Sequence, residues 1–150
     1  MLSLFKKLLG DKNDTDETGL DQTAIASAVL MFEIAKADEH IDAQELTELS
    51  NSLVTSLGVS TEQVEALISD SRQQSKEATS LYPFTNLIKQ EFSAEQRAEL
   101  LSCLWKIAYA DQQLDKYEEY FIRKIADLLY IPHSVYIKTK LDAENVSANT

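Results

Sequence analysis

Apolar residues recur along this chain at three- and four-residue intervals almost throughout, the pattern of amphipathic helices. Leu2, Phe5, Leu8 and Leu9 share one helical face opposite Lys6 and Lys7, and Gly10 ends that segment, 1–10. Residues 11–20 are acidic, polar and without period, as a linker is. Asp21 can cap a helix that carries Ile25, Val29, Phe32 and Ala35 and runs to about Asp38. Asp42 and Glu45 have the spacing of a capping box, in which each side chain bonds the other's backbone N–H. Leu46, Leu49, Leu53 and Leu57 follow as a core stripe that Gly58 closes. Ser60 and Gln63 form a weaker box before Val64, Leu67 and Ile68, and the polar residues 70–79 predict a helix end passing into a loop.

The next helix is predicted over 80–92, with Pro83 tolerated in its first turn and Tyr82, Phe84, Leu87, Ile88 and Phe92 on its apolar side. Ser93 and Gln96 open a long helix through Leu100, Leu101, Leu104, Ile107 and Ala108 to Asp111. Asp115 and Glu118 cap the one after it, with Phe121, Ile122, Ile125 and Leu129 inward. Pro132 stands where a last helix begins, carrying Val135, Tyr136 and Leu141, and residues 142–150 form a polar tail.

Two of these stretches are nearly the same. Residues 34–45 read IAKADEHIDAQE and residues 107–118 read IAYADQQLDKYE. Ile34, Ala35, Ala37, Asp38, Asp42 and Glu45 recur as Ile107, Ala108, Ala110, Asp111, Asp115 and Glu118, at a constant offset of 73. LGVS at 57–60 matches LYIP at 129–132 with the register slipped by one. A period near half the chain marks an internal duplication. The fold expected is an all-α, compact bundle of about seven helices, built from two pseudo-symmetric helix–turn–helix halves within residues 21–141.

Composition narrows the function. The net charge of −11 disfavours nucleic acid, a polyanion, and favours cations or basic partners. With only 3 Gly there is no Gly-rich phosphate loop, and no Ser-His-Asp order appears, so no enzymatic activity is expected. The single Cys103 lies in the apolar run LLSCLWKIAYA and reads as a small core residue. No run approaches the ~20 apolar residues of a membrane span, and MLSLFKKLLG lacks the features of a secretory signal, so a cytoplasmic protein is expected.

The doubled acidic turn is the one constellation with chemistry in it. Capping accounts for Asp42, Glu45, Asp115 and Glu118, but not for Asp38 and Asp111. A carboxylate at a helix C-terminus opposes the macrodipole, at a cost of roughly 0.3–1 kcal/mol. Two readings are open. Asp38 and Asp111 can accept hydrogen bonds from the following turn or a facing helix, or the carboxylates can hold a hard cation of the Ca²⁺ or Mg²⁺ class through oxygen. The turn is too short for an EF-hand loop and lacks its Gly. His40, inside the first turn, reads as a surface histidine paired with acids. Its counterpart is Gln113.

The doubled Ala-Asp-x(3)-Asp-x-x-Glu turn resembles the TerB-like tellurite-resistance family over residues 21–141. That resemblance implies an all-helical bundle, a loose link to tellurite and chemical stress, and no established enzymatic activity. It also implies a divalent-cation site, carried onto Asp38, Asp42, Glu45, Asp111, Asp115 and Glu118. A similar domain belongs to a membrane-anchored DnaJ-like co-chaperone, which suggests a protein partner. The family often has Gly after the first Asp, where this chain has Glu39 and Gln112.

The amphipathic segment 2–9 is the second functional candidate. Docking on a membrane is disfavoured, since so short a helix binds marginally and the acidic linker behind it is repelled by anionic lipid. Packing onto the domain or onto a partner are the other readings.

Overall fold

In the computed structural model, the described residues of the 150-residue chain are 22–35, 43–77, 80–110 and 114–148. They form seven helices: α1 (Gln22–Ala35), α2 (Ala43–Thr55), α3 (Thr61–Glu77), α4 (Tyr82–Glu91), α5 (Ala94–Ala108), α6 (Lys116–Leu128) and α7 (His133–Ala148). The N-terminal segment 1–10, the linker 11–20 and Asp21 lie outside the described residues.

The helices group as three, one and three. Ala35 ends α1 and Ala108 ends α5, while Ala43 begins α2 and Lys116 begins α6, both at the offset of 73. Thr61 begins α3 and His133 begins α7, at an offset of 72. The packing repeats as well. α1 lies on α3 as α5 lies on α7, α2 meets α5 as α6 meets α1, and α1 and α5 pack on each other across a pseudo-twofold. Buried Ile34, Ala35 and Leu49 on one side correspond to buried Ile107, Ala108 and Ile122 on the other. The two halves are therefore one duplicated unit, with α4 between them.

α1 is the axis of the bundle. Twelve of its fourteen residues are buried, because α2, α3, α4, α5 and α6 all contact it. That is why its sequence is apolar nearly all round rather than striped. On the other long helix, Trp105 is fully buried; its indole N–H donates to Thr139 Oγ1 at 3.1 Å, and its ring meets the edge of Tyr136 with centroids 5.3 Å apart. This polar-and-aromatic contact fastens α7 to α5.

The one-residue slip in the repeat has a visible origin. Leu57 is the fourteenth residue after Ala43, whereas Leu129 is the thirteenth after Lys116. After α6, Tyr130 N–H donates to Asp127 O (3.1 Å) and Ile131 N–H to Ala126 O (3.0 Å), the Schellman pattern. After α2, Leu57 N–H reaches Ser52 O (3.3 Å) and Val59 N–H reaches Leu53 O (3.0 Å), each loop one residue wider than an ordinary helix end. The extra residue is absorbed in that widened last turn. Both ends then turn through the left-handed region, at Gly58 (φ 70) and at Tyr130 (φ 56).

Three sequence expectations need correcting. Residues 70–77 are helical, not a passage into a loop. Ser71 and Ser75 follow Leu67 at four-residue steps and are buried with it. Ser71 Oγ donates to Leu67 O at 2.6 Å, and Ser75 Oγ donates to a carboxylate oxygen of Glu33 on α1. Small polar residues here make the face that lets α3 approach α1, a stripe invisible to apolar counting. Tyr82, expected on the apolar side of α4, is 57% exposed, while Thr85 is buried in that helix. On α7, Leu141 is exposed, and Tyr136, Thr139 and Ala143 form the buried side. Apart from these three, α7 runs on to Ala148 and so takes in residues 142–148 of the polar tail.

Candidate functional site

The second acidic turn is built by the start of α6. Asp115 has the extended backbone of an N-cap (φ −79, ψ 143). Its Oδ1 accepts the Tyr117 N–H at 2.7 Å, its carboxylate also caps the Glu118 N–H, and Glu118 Oε1 accepts the Asp115 N–H at 3.1 Å. The box expected from the sequence is thus formed, reciprocally. Glu118 is buried, with its carboxylate at the positive end of the α6 dipole. Glu45 holds the equivalent place in the first turn and is equally buried, each being 3% exposed. The burial is informative because a Glu at the third position of an ordinary helix stands in water.

Of the six acids singled out in the sequence, the structure thus places Glu45, Asp115 and Glu118. It brings Asp115 and Glu118 into direct mutual capping. Asp38, Asp42 and Asp111, together with His40, Glu39, Gln112 and Gln113, lie outside the described residues. Among the described residues, no group of three or more His, Cys, Asp or Glu side chains is gathered closely enough to hold a metal ion. A carboxylate offers about four lone-pair positions, so two capping bonds leave Asp115 with acceptor capacity beyond the box.

A second polar feature was not legible as a site. A cleft of about 370 Å³ opens between the end of α2, one face of α5 and the outer half of α7. Glu99, Ser102 and Lys106 line it from α5. Burial raises the Glu99 pKa, and Glu99 Oε2 is shielded from solvent without a hydrogen-bond partner. Burial also raises the pKa of Glu48 on α2, against the opposing pull of Lys106 and a hydrogen bond from Ser52. The sequence signal was a break in α5's apolar run: Glu99 stands one repeat from Ala26, and Ser102 one repeat from Val29.

Cys103 is a core residue, as its surroundings in the sequence suggested. It is buried and unpaired, and burial pushes its thiol pKa up, against the hydroxyls of Ser56 and Ser52. That is the reverse of what activates a nucleophile. His133 stacks on Tyr136 with centroids 5.8 Å apart. No helix among the described residues is long and apolar enough to cross a membrane.

No curated protein and no solved structure matches this chain. The family model for the tellurite resistance protein TerB matches residues 24–141, a span that runs from the first turn of α1 into α7 and includes both acidic turns. This match over most of the chain, together with the duplicated helical unit and the Asp115–Glu118 box, establishes that the protein belongs to the TerB family.

Proposed function

We propose that this protein is a non-enzymatic, stress-associated module of the tellurite-resistance kind, whose paired acidic turns accept a divalent cation of the Ca²⁺ or Mg²⁺ class. The observation that carries the reading is the equivalence of Glu45 and Glu118: both are buried carboxylates at the mouth of a helix, one repeat apart. At the second turn, capping fixes Asp115 and Glu118 in orientation before any ligand arrives. Preorganised oxygen ligands raise affinity because little side-chain freedom is lost on binding. Asp38 and Asp111 complete each turn in sequence, and a hard cation would offset the repulsion among such carboxylates.

Titration calorimetry of Ca²⁺ and Mg²⁺ into metal-free protein tests this. The reading expects saturable binding that falls at least tenfold in Asp111→Asn and further in the Asp38→Asn/Asp111→Asn pair. Absence of binding to either ion removes it.

The capping geometry also favours a second reading, in which the turns are folding devices and the acidic surface meets a basic protein partner. In that case the substitutions lower stability without changing any ion response.

A further inference from the structure

The duplication extends further than the family match. α4 precedes α5 in the second half, and the amphipathic segment 2–9 precedes α1 in the first. The two share a pattern. Leu2, Phe5, Leu8 and Leu9 fall at the spacing of Leu81, Phe84, Leu87 and Ile88, all at an offset of 79. Phe84 and Leu87 on α4 and Leu81 at its N-cap pack against the core, and Ile88 is fully buried there. The first half therefore carries, in sequence, a counterpart of α4 joined by a linker six residues longer.

The pseudo-twofold says where that counterpart belongs. α4 packs on α1 and on α6. The operation that exchanges α1 with α5 and α6 with α2 carries α4 to a position against α5 and α2. That position is the cleft, walled by Thr55 and Ser56 at the end of α2 and by Glu99, Ser102 and Lys106 on α5. Val146, 61% exposed, stands at its rim on α7.

We infer that the N-terminal segment of this same chain, residues 2–9, seats as a helix in this cleft and completes the second copy of a four-helix unit. Leu2, Phe5, Leu8 and Leu9 take the part that Leu81, Phe84, Leu87 and Ile88 play on the other side. Charge agrees. Lys6 falls at the place of Thr85, which is buried, and the cleft offers the shielded, unpartnered Glu99 Oε2 where the equivalent helix α1 has only Ala26. Reach agrees too: the eleven residues 11–21 extend to about 36 Å, beyond the ~21 Å length of α1. The seating of residues 2–9 is independent of the cation, since among the described acids of the two turns Glu45, Asp115 and Glu118 do not line the cleft.

Amide hydrogen exchange on the full-length chain tests it. Amides of residues 5–9 are expected to exchange roughly tenfold or more slowly than those of 11–20. Ser102→Arg, which fills the cleft, should abolish that protection, whereas Tyr120→Arg on the exposed side of α6 should leave it. Phe5→Asp/Leu8→Asp should abolish it as well and shift the NMR signals of Ser102, Lys106 and Val146, with no reliance on how the cleft variant folds. Unprotected amides at 5–9 in the natural sequence would overturn the proposal. So would protection that appears only with anionic lipid vesicles, or only as the protein dimerises with rising concentration.

Discussion

Gly58 and Tyr130 close equivalent helices in the same left-handed backbone conformation, at φ 70 and φ 56, although only one of them is a glycine. A side chain in this region costs about 1–2 kcal/mol. At Tyr130 the ring is exposed and Lys89 Nζ lies 4.4 Å from its centroid, a contact worth about 0.5–1 kcal/mol at the surface. Gly58→Ala should therefore destabilise by about 1 kcal/mol or more. Tyr130→Gly should change stability by less, because relief of the backbone is offset by loss of the Lys89 contact and by the greater freedom of Gly in the unfolded chain. Urea unfolding of the two variants checks the inequality.

The Asp115–Glu118 box should act as a unit. Asp115→Ala is expected to cost about 1 kcal/mol, in the range of other N-cap losses. Glu118→Ala should cost more, since it also opens a cavity and strands the Asp115 N–H, while Glu118→Gln keeps an acceptor and should cost least. A double-mutant cycle should return a coupling above about 0.5 kcal/mol.

The attachment of α7 depends on one buried polar contact. Thr139→Val leaves the Trp105 indole N–H without its acceptor and should cost about 1–3 kcal/mol. Thr139→Ser retains the hydroxyl and should cost less. Equilibrium unfolding followed by Trp105 fluorescence, the chain's single tryptophan, reads both directly.

Glu48 should give stability a distinct pH dependence. Its pKa in the folded chain is raised by burial above the ordinary 4.5, so the folded state holds this proton more tightly than the unfolded chain. Its contribution is therefore most favourable below about pH 4.5 and is lost as pH rises through the raised folded value. Glu48→Gln should be relatively more stable than the natural sequence at pH 7 than at pH 4. Melting temperatures of the two proteins measured across that range would show the gap widening with pH.

Much of the fold was legible because its signals are local and doubled. The Ser93–Gln96 and Asp115–Glu118 boxes formed as spaced, and the repeated turn gave the halves and their pairing. What could not be read were faces made by residues that are not apolar. Ser71 and Ser75 pack α3 on α1 through small size and hydroxyl bonds, so the stretch looked like a loop. Tyr82 and Leu141 were apolar enough to be assigned inward but stand beyond the reach of neighbouring helices. At the candidate site the capping roles of Asp115 and Glu118 were legible from spacing alone, whereas the burial of Glu45 and Glu118 is not carried by spacing. The Glu99 cleft required knowing which faces the pseudo-twofold brings together.

Whether the paired turns hold a cation is decided by thermal unfolding of metal-free protein with and without millimolar Ca²⁺ or Mg²⁺, beside the Asp38→Asn/Asp111→Asn variant. An ion present at 100 times its Kd adds about 2.7 kcal/mol to stability. With a cation held at the turns, the melting temperature rises in the natural sequence and does not rise in the variant. An unchanged melting temperature with either ion, together with a variant that is merely less stable, would contradict it and leave the doubled turn as a folding device.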